Sequence, residues 1–134
     1  MYYKSDIHES LYKKILQQLS LTKPNREYEA FAYLAASTEK TDLVQAFSSY
    51  EVDTEIIYDL SLKWSESEKY MLEIGFQLFN SSNLFYDEVD GQTDHYGDPV
   101  YNAKYPTWGK MLSSMDKENI TVVLSAIDFR YTGR

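Results

Sequence analysis

A cluster of carboxylates between residues 87 and 98 is the part of the sequence best suited to chemistry. Its members are Asp87, Glu88, Asp90, Asp94 and Asp98, with His95 beside them. Carboxylate oxygens and an imidazole are ligands for hard divalent cations, so a metal site serving a metal-dependent hydrolase is one hypothesis for this segment. The spacing lacks the closing glutamate of an EF-hand loop, and no second cluster offers rigid support. We therefore favour a solvated acidic loop and assign no metal.

Other catalytic chemistries find little support in the sequence. The chain of 134 residues has no cysteine, which excludes a thiolate nucleophile and a sulfur-based zinc site. Its two histidines are His8 and His95. His8 falls in the first turn of a predicted helix, where a surface or capping role is commoner than base catalysis. Neither a Gly-x-Ser-x-Gly elbow nor a glycine-rich phosphate loop is present. We predict that the protein is not an enzyme and needs no cofactor.

The charge of the chain is unevenly distributed along its length. The formal net charge is −8, and residues 51–98 hold twelve carboxylates against Lys63 and Lys69, a net of −10. Residues 1–50 balance to zero, and residues 99–134 carry +2. A negative field repels phosphate backbones and attracts basic surfaces. Direct binding to nucleic acid is thus disfavoured, and a basic protein partner is predicted.

Aromatic side chains alternate with the acids of the central segment. Those between residues 85 and 105 are Phe85, Tyr86, Tyr96, Tyr101 and Tyr105. They either anchor a partner, since tyrosine gives a large contact area at small entropic cost, or fold back over the core. A mixture of acids and aromatics suits a basic groove on another protein. The residues predicted to bind the partner are Glu51, Asp53, Glu55, Tyr86, Asp87, Glu88, Asp90, Asp94, Tyr96 and Asp98.

Helices must position these residues, and capping side chains mark where several of them begin. Ser5 and Asn25 each precede apolar residues at helical spacing, which predicts a first helix and a buried second helix. The predicted inner face of the first helix is Ile7, Leu11, Ile15, Leu16 and Leu19. Ser65 and Glu68 form a capping box that opens a helix over 66–80, in which Gly75 indicates a close approach by a neighbouring helix.

The remaining segments are less regular in pattern. Residues 50–64 suit a loop with one turn of helix, although a short strand is also compatible with their apolar residues. Residues 80–106 lack any sustained periodicity and are predicted to be a long loop. Asp116 can cap a last helix, but the β-branched run 121–123 leaves a strand as the alternative. The inner face predicted for that helix is Ile120, Val123, Leu124 and Ile127.

These elements predict an all-α fold in which residues 1–134 form one compact helical domain. We expect five or six helices and a long acidic, tyrosine-rich loop, with helices one, two and 66–80 forming the core. The length suits a single core. The N-terminus lacks the apolar stretch of a signal peptide, and no run approaches the roughly 18 apolar residues that span a bilayer. A cytoplasmic protein without membrane contact is predicted, since the chain has no cysteine for disulfides.

Three segments carry hydrophobic and structural motifs: Tyr3-Lys4-Ser5-Asp6-Ile7-His8, the stripe Ala30-Phe31-Ala32-Tyr33-Leu34-Ala35, and Trp64 followed by a capped helix ending in Gly75-Phe76-Gln77-Leu78-Phe79-Asn80. Together these segments resemble a family of small uncharacterised proteins of Gram-positive bacteria and their phages. The resemblance implies a fold and a genomic setting, and it brings no activity or catalytic residues. The acidic segment 87–98 departs from the family and is expected to be particular to this chain.

We predict a non-enzymatic acidic binding protein that engages a basic surface of a protein partner. An inhibitor of phage type, or a nucleic-acid mimic acting on a nucleic-acid enzyme, would have these properties. A structural or homo-oligomerising accessory protein that uses the exposed tyrosines is the first alternative. The metal-dependent hydrolase built on residues 87–98 is the second alternative. The sequence leaves the oligomeric state open.

Overall fold

The protein is mostly helical and contains two small antiparallel sheets. A computed structural model describes residues 1–105 and 107–133. In chain order the elements are α1 (Asp6–Leu19), α2 (Arg26–Ala36), a 3₁₀ helix (Thr41–Ala46), β1 (Phe47–Ser48), β2 (Glu51–Val52), α3 (Thr54–Ser61), α4 (Glu66–Asn80), β3 (Tyr86–Thr93), β4 (Pro99–Ala103), α5 (Trp108–Ser113) and α6 (Lys117–Thr132). The helical character is confirmed. The all-α prediction is wrong, because β1 pairs with β2 and β3 pairs with β4.

Side-chain caps begin the main helices, as predicted. Ser5, Asn25 and Asp116 each accept hydrogen bonds from amides in the first turn of α1, α2 and α6. At the start of α4, Ser65 Oγ accepts from the Glu68 amide at 3.3 Å, and the Glu68 carboxylate accepts from the Ser65 amide at 3.0 Å. These caps satisfy amides that have no partner within the helix. The helix starts are therefore set by local sequence.

Helix α2 is the centre of the core. Residues 30–36 are all buried, and α2 packs against α1, α4 and α6. Gly75 allows α4 to approach closely, because a Cβ atom at this position would lie 2.9 Å from Phe31 Cδ1 and 3.1 Å from Leu34 Cβ. The prediction of a close helix contact at Gly75 is confirmed. The predicted core of three helices is also confirmed, and α6 adds a fourth.

The inner faces of α1 and α6 differ in part from the prediction. Ile7 is 48% exposed and Leu124 is 60% exposed, so both were wrongly assigned to the core. In α1 the buried face starts at His8 and continues at helical spacing to Leu19. In α6 the buried residues are Asn119, Val122, Val123 and Ala126, which lie on one helical face. No helix over residues 1–105 and 107–133 is long and apolar enough to cross a membrane.

Residues 50–64 contain more regular structure than predicted. Strand β2 closes a short hairpin with β1, and α3 follows at once. The Asp53 carboxylate caps α3 by accepting hydrogen bonds from the amides of Glu55 (3.1 Å) and Ile56 (3.2 Å). Ile57, one position further on, is fully buried. A helix of two turns forms because the cap satisfies its first amides and the core covers its apolar side.

The long loop predicted over residues 80–106 is a β-hairpin for much of its length. Strands β3 and β4 pair antiparallel, with Glu88 opposite Tyr101. The loop prediction was wrong because both faces of this hairpin are largely exposed, so its strands carry no alternation of apolar and polar residues. Pro106, the last residue of the predicted loop, lies outside the described residues.

Candidate functional site

The base of the β3–β4 hairpin is fixed to the helices by buried side chains. Leu84 and Phe85, just before β3, are buried, as is Tyr105 beyond β4. The Glu73 carboxylate of α4 is also buried, and it accepts hydrogen bonds from the Leu84 amide at 2.6 Å and from Asn83 Nδ2 at 3.1 Å. Loss of hydration raises the pKa of Glu73, although the hydrogen bonds favour its charged form. This carboxylate of the acidic central segment serves the fold.

Beyond its base, the hairpin stands apart from the helices. We call residues 86–103 the acidic arm; it carries five carboxylates and no lysine or arginine. Its residues are exposed except for Val89, Val100 and Ala103, which are half-buried. Within the described part of the chain, no helix packs along either strand. A two-stranded hairpin is marginally stable by itself, so the arm depends on its base and its turn for order.

Strand pairing divides the side chains of the acidic arm between two faces. Side chains alternate along a strand, so Tyr86 and Glu88 share one face of β3 and Asp87 lies on the other. Tyr101 is directly opposite Glu88 in the register, and it therefore joins the face of Tyr86 and Glu88. The sequence prediction grouped Asp87 with Glu88 in one patch. The pairing places these two acids on opposite faces.

Three tyrosines form a recess on the first of these faces. Tyr58 of α3, Tyr86 and Tyr101 line an open cavity of about 490 Å³, which we call the tyrosine recess. The Tyr58 hydroxyl donates to the Leu84 carbonyl and accepts from the Tyr86 amide at 3.2 Å. Its ring packs edge-on against Phe85, with centroids 5.3 Å apart. Tyr58 is thus held in place, whereas Tyr86 and Tyr101 are 43% and 56% exposed.

The other face of the arm is electrically mixed. Asp87 lines a cavity of about 310 Å³ together with Glu66, Lys104 and Lys110. Lys104 Nζ lies 5.5 Å from the centre of the Tyr105 ring. Two carboxylates and two amines share this cavity, so their fields partly cancel. Asp87 therefore contributes less to a uniformly negative surface than the sequence indicates.

The turn of the arm is built by one of the predicted binding residues. The Asp94 carboxylate accepts hydrogen bonds from the Tyr96 amide at 2.8 Å and from the Asp98 amide at 3.0 Å. Tyr96 is 80% exposed, and its ring lies against His95 with centroids 4.0 Å apart. Asp90 and Asp98 are exposed. Asp94 orders the turn, whereas Asp90, Tyr96 and Asp98 present exposed side chains at the outer half of the arm, residues 90–98.

The acids predicted around residues 51–55 lie at the far end of α3 from the arm. Glu51 is exposed in β2 and Glu55 is exposed in the first turn of α3, while Asp53 is occupied as the cap of that helix. The arm meets α3 at Tyr58, more than one helical turn beyond Asp53. Over residues 1–105 and 107–133, no hydrogen bond or ion pair joins these acids to the arm. The two predicted groups of acids are separate features.

His8 is a buried structural residue, which corrects the predicted surface or capping role. Its Nδ1 atom accepts from the Lys4 amide at 3.2 Å, and its Nε2–H donates to the Tyr33 carbonyl at 2.9 Å. Burial lowers the pKa of His8, so the imidazole is neutral at pH 7 and bridges α1 and α2. As for metals, no three side chains of His, Asp or Glu in the described ranges are grouped to hold an ion.

Comparison with known proteins gave no relative for this chain. It matches no protein-family model, no curated protein and no solved structure. The resemblance to small proteins of Gram-positive bacteria and their phages therefore stays a prediction from three sequence segments. The charge and geometry of the acidic arm and the tyrosine recess are the features of the chain that bear on its function.

Two residues of the tyrosine recess were absent from the predicted binding set. Tyr101 was noted among the aromatics, but its position opposite Glu88 follows only from the hairpin register. Tyr58 reaches the arm through the hydrogen bond that its hydroxyl accepts from the Tyr86 amide, 28 positions away. The one local signal was Asp94 to Asp98, whose turn residues indicate a hairpin once strands are considered on both sides.

Proposed function

We propose that this chain is a non-enzymatic binding protein of the cytoplasm, and that its acidic arm engages a basic surface on a protein partner. One observation carries the proposal: the acidic arm holds five carboxylates and no lysine or arginine, and within the described residues no helix packs along its two strands. A rigid scaffold that presents an exposed, polar connection is a common arrangement for recognition. The hydrophobic core contains no side chain from residues 90–98, the outer half of the arm, so that half is available for binding.

Charge supports a basic partner over other classes. Glu88, Asp90 and Asp98 are exposed, and none of them forms an ion pair within the described residues. Their field accelerates encounter with cationic surfaces and opposes phosphate backbones. An enzyme that acts on nucleic acid has a basic groove for phosphates, and a narrow acidic hairpin can occupy such a groove. We therefore extend the proposal to a nucleic-acid mimic or phage-type inhibitor of such an enzyme.

Two variants of equal net charge test the proposal. The arm variant carries Asp87→Asn, Glu88→Gln, Asp90→Asn and Asp98→Asn. Asp94 is left intact because its carboxylate orders the turn. The matched control removes four exposed carboxylates of the helices through Asp6→Asn, Asp42→Asn, Glu118→Gln and Asp128→Asn. Each protein is used to capture partners from a Gram-positive bacterial lysate, and the dissociation constant of the purified partner is then measured at low and high salt.

The expected result is a basic partner that binds the original chain and the control, but binds the arm variant more weakly. Its affinity for the original chain should fall as salt rises, because ions screen exposed charges beyond about 10 Å at 0.1 M. Equal binding by the arm variant and the control would contradict the proposal, since only the position of the removed charges differs between them.

Self-association through the arm is a second candidate. It is favoured by the two-stranded sheet, in which the outer edge of each strand has no neighbouring strand among residues 1–105 and 107–133. Such edges can pair with a second copy. Two arms repel each other through their carboxylates, so association of this kind should strengthen with salt, whereas binding to a basic partner should weaken. Light scattering across a salt series distinguishes the two functions.

A further inference from the structure

We infer that the tyrosine recess receives an arginine side chain of the partner. The inference rests on the proposed function and names the chemical group that its binding site recognises. The acidic arm supplies the attraction for a cationic partner, and the recess between Tyr58, Tyr86 and Tyr101 supplies a defined place for one side chain. Aromatic rings attract cations placed over their faces, because the ring face carries partial negative charge.

The geometry of the recess suits a cation with apolar flanks. Its wall is formed by three phenol rings around about 490 Å³ of open space, and Glu88 lies on the same face, directly across the strand pair from Tyr101. Cross-strand neighbours on one face have Cβ atoms roughly 5 Å apart. A cationic group in the recess can therefore contact Tyr101 while it pairs with the Glu88 carboxylate. An uncharged apolar side chain would use the rings but leave Glu88 without a partner.

The inner wall is already in its binding position. Both hydrogen-bonding functions of the Tyr58 hydroxyl are satisfied, by the Leu84 carbonyl and the Tyr86 amide, so the hydroxyl does not compete for the ligand. Phe85 supports the Tyr58 ring from its edge. A wall that is ordered before binding spares the entropic cost of fixing it. Only the exposed rings of Tyr86 and Tyr101 need to adjust.

The lysines nearest the recess are directed elsewhere. Lys69 and Lys104 line a smaller cavity of about 120 Å³ that also borders Tyr58 and Tyr86. Lys69 Nζ donates to the Leu62 carbonyl at 3.5 Å, and Lys104 Nζ lies over the Tyr105 ring. Neither amine lines the tyrosine recess. The recess is therefore open to a cation from outside the chain.

Arginine fits this recess better than lysine. Its guanidinium is planar, stacks on aromatic rings and pairs with a carboxylate through two parallel hydrogen bonds. The ammonium of lysine is compact and more strongly hydrated, so it loses more hydration on entering an aromatic wall. Selectivity for arginine at equal peptide charge is thus the property that separates the recess from general attraction by the arm.

The test titrates the intact chain with three blocked peptides: a Gly-Arg repeat, the Gly-Lys repeat of equal charge, and the uncharged Gly-citrulline repeat. We expect the arginine peptide to bind about five- to tenfold more tightly than the lysine peptide, and the citrulline peptide to show no measurable binding. Tyr101→Ala and, separately, Glu88→Gln should each remove most of the preference for arginine. Tyr131→Ala, an exposed tyrosine of α6, is the control and should leave it unchanged.

The outcomes separate this inference from the proposed function. If the arginine and lysine peptides bind equally, or if Tyr101→Ala and Glu88→Gln keep the arginine preference, the recess does not recognise arginine. The proposed function survives that result as long as both cationic peptides bind the arm variant more weakly than the original chain. If neither cationic peptide distinguishes the arm variant from the original chain, both proposals fail. Tyr101→Phe keeps the ring and should retain the preference, which guards against an effect of misfolding.

Discussion

The acidic arm and the rest of the described chain differ in how far their side chains are buried; we call that remainder, residues 1–85, 104–105 and 107–133, the helical body. In the body, α2 is buried on every side over residues 30–36 and is surrounded by α1, α4 and α6. In the arm, two strands of eight and five residues are exposed on both faces. The body therefore derives its stability from apolar contacts, whereas the arm derives its order from backbone pairing and a few polar contacts at its base and tip.

Because of this difference, substitutions in the two regions should affect different properties of the protein. A substitution in the body should change the free energy of unfolding of the whole chain, because its side chains share one core. A substitution in the outer arm should change binding and local opening while the global transition stays the same. Glu73 lies at the junction, since it belongs to α4 and holds the residues that lead into β3.

The largest expected effect is in the body. Phe31 is fully buried and packs against the rings of Phe47, Phe76 and Phe79. Phe31→Ala should lower the free energy of unfolding by about 3–5 kcal/mol, because it removes apolar contacts and leaves a cavity. Urea denaturation followed by circular dichroism measures the loss. Tyr96→Ala at the tip of the arm is the control, and a comparable loss there would contradict the division between body and arm.

Removal of the Glu73 side chain should have the next largest effect. Glu73→Ala leaves the buried Leu84 amide without an acceptor, and this should cost about 1–3 kcal/mol in the free energy of unfolding. Amides of β3 and β4 should also exchange faster with solvent, since the arm loses its attachment. Hydrogen exchange that is unchanged in the arm would show that Glu73 does not hold it.

The pH dependence of stability should also depend on Glu73. Burial raises the pKa of Glu73 above its ordinary value of 4.5, so protonation is easier in the folded chain than in the unfolded chain. The stabilising contribution is complete below the unfolded pKa and is lost as the pH rises through the folded pKa. As the pH falls from neutral towards 4.5, the original chain should gain stability relative to Glu73→Gln. The free energy of unfolding of both proteins is measured by urea denaturation at each pH. If the two free energies change in parallel with pH, the prediction is contradicted.

The smallest expected effect is at the turn of the arm. Asp94→Ala removes the acceptor for the amides of Tyr96 and Asp98, which should cost roughly 1 kcal/mol of local stability. The exchange of amides in the outer arm should accelerate, and the urea midpoint of the body should stay the same. Asp94→Asn, which keeps a side-chain carbonyl acceptor, should restore most of the protection. A shifted urea midpoint of the helical body, together with unchanged amide exchange in the outer arm, would contradict this prediction.

Local sequence was sufficient to predict where α1, α2, α4 and α6 begin. Ser5, Asn25, Ser65 and Asp116 were identified as caps because a helix start needs an acceptor for amides that lie only two or three positions away. Gly75 was identified as a contact point because glycine within a strongly periodic helix is costly unless a neighbour requires the space. These features depend on short-range geometry, and the structure confirms them.

The same local sequence patterns could not predict the β3–β4 hairpin. Strands are identified by alternation between a buried and an exposed face, and the acidic arm buries neither face. For the same reason the sequence could not indicate that Asp87 and Glu88 lie on different faces. The aromatic residues were noted, but the one that completes the recess, Tyr58, comes from a helix that was predicted as mostly loop.

The sequence by itself determined α1, α2 and α4, their caps and the negative charge balance of residues 51–98, because each depends on composition or on neighbours within one turn. The tertiary structure decided which charges reach solvent and which aromatics meet. Glu73 and His8 are buried, and Tyr58 meets Tyr86 and Tyr101, through contacts between distant parts of the chain. Burial and contacts between distant residues depend on tertiary packing, and the spacing of adjacent residues does not determine that packing.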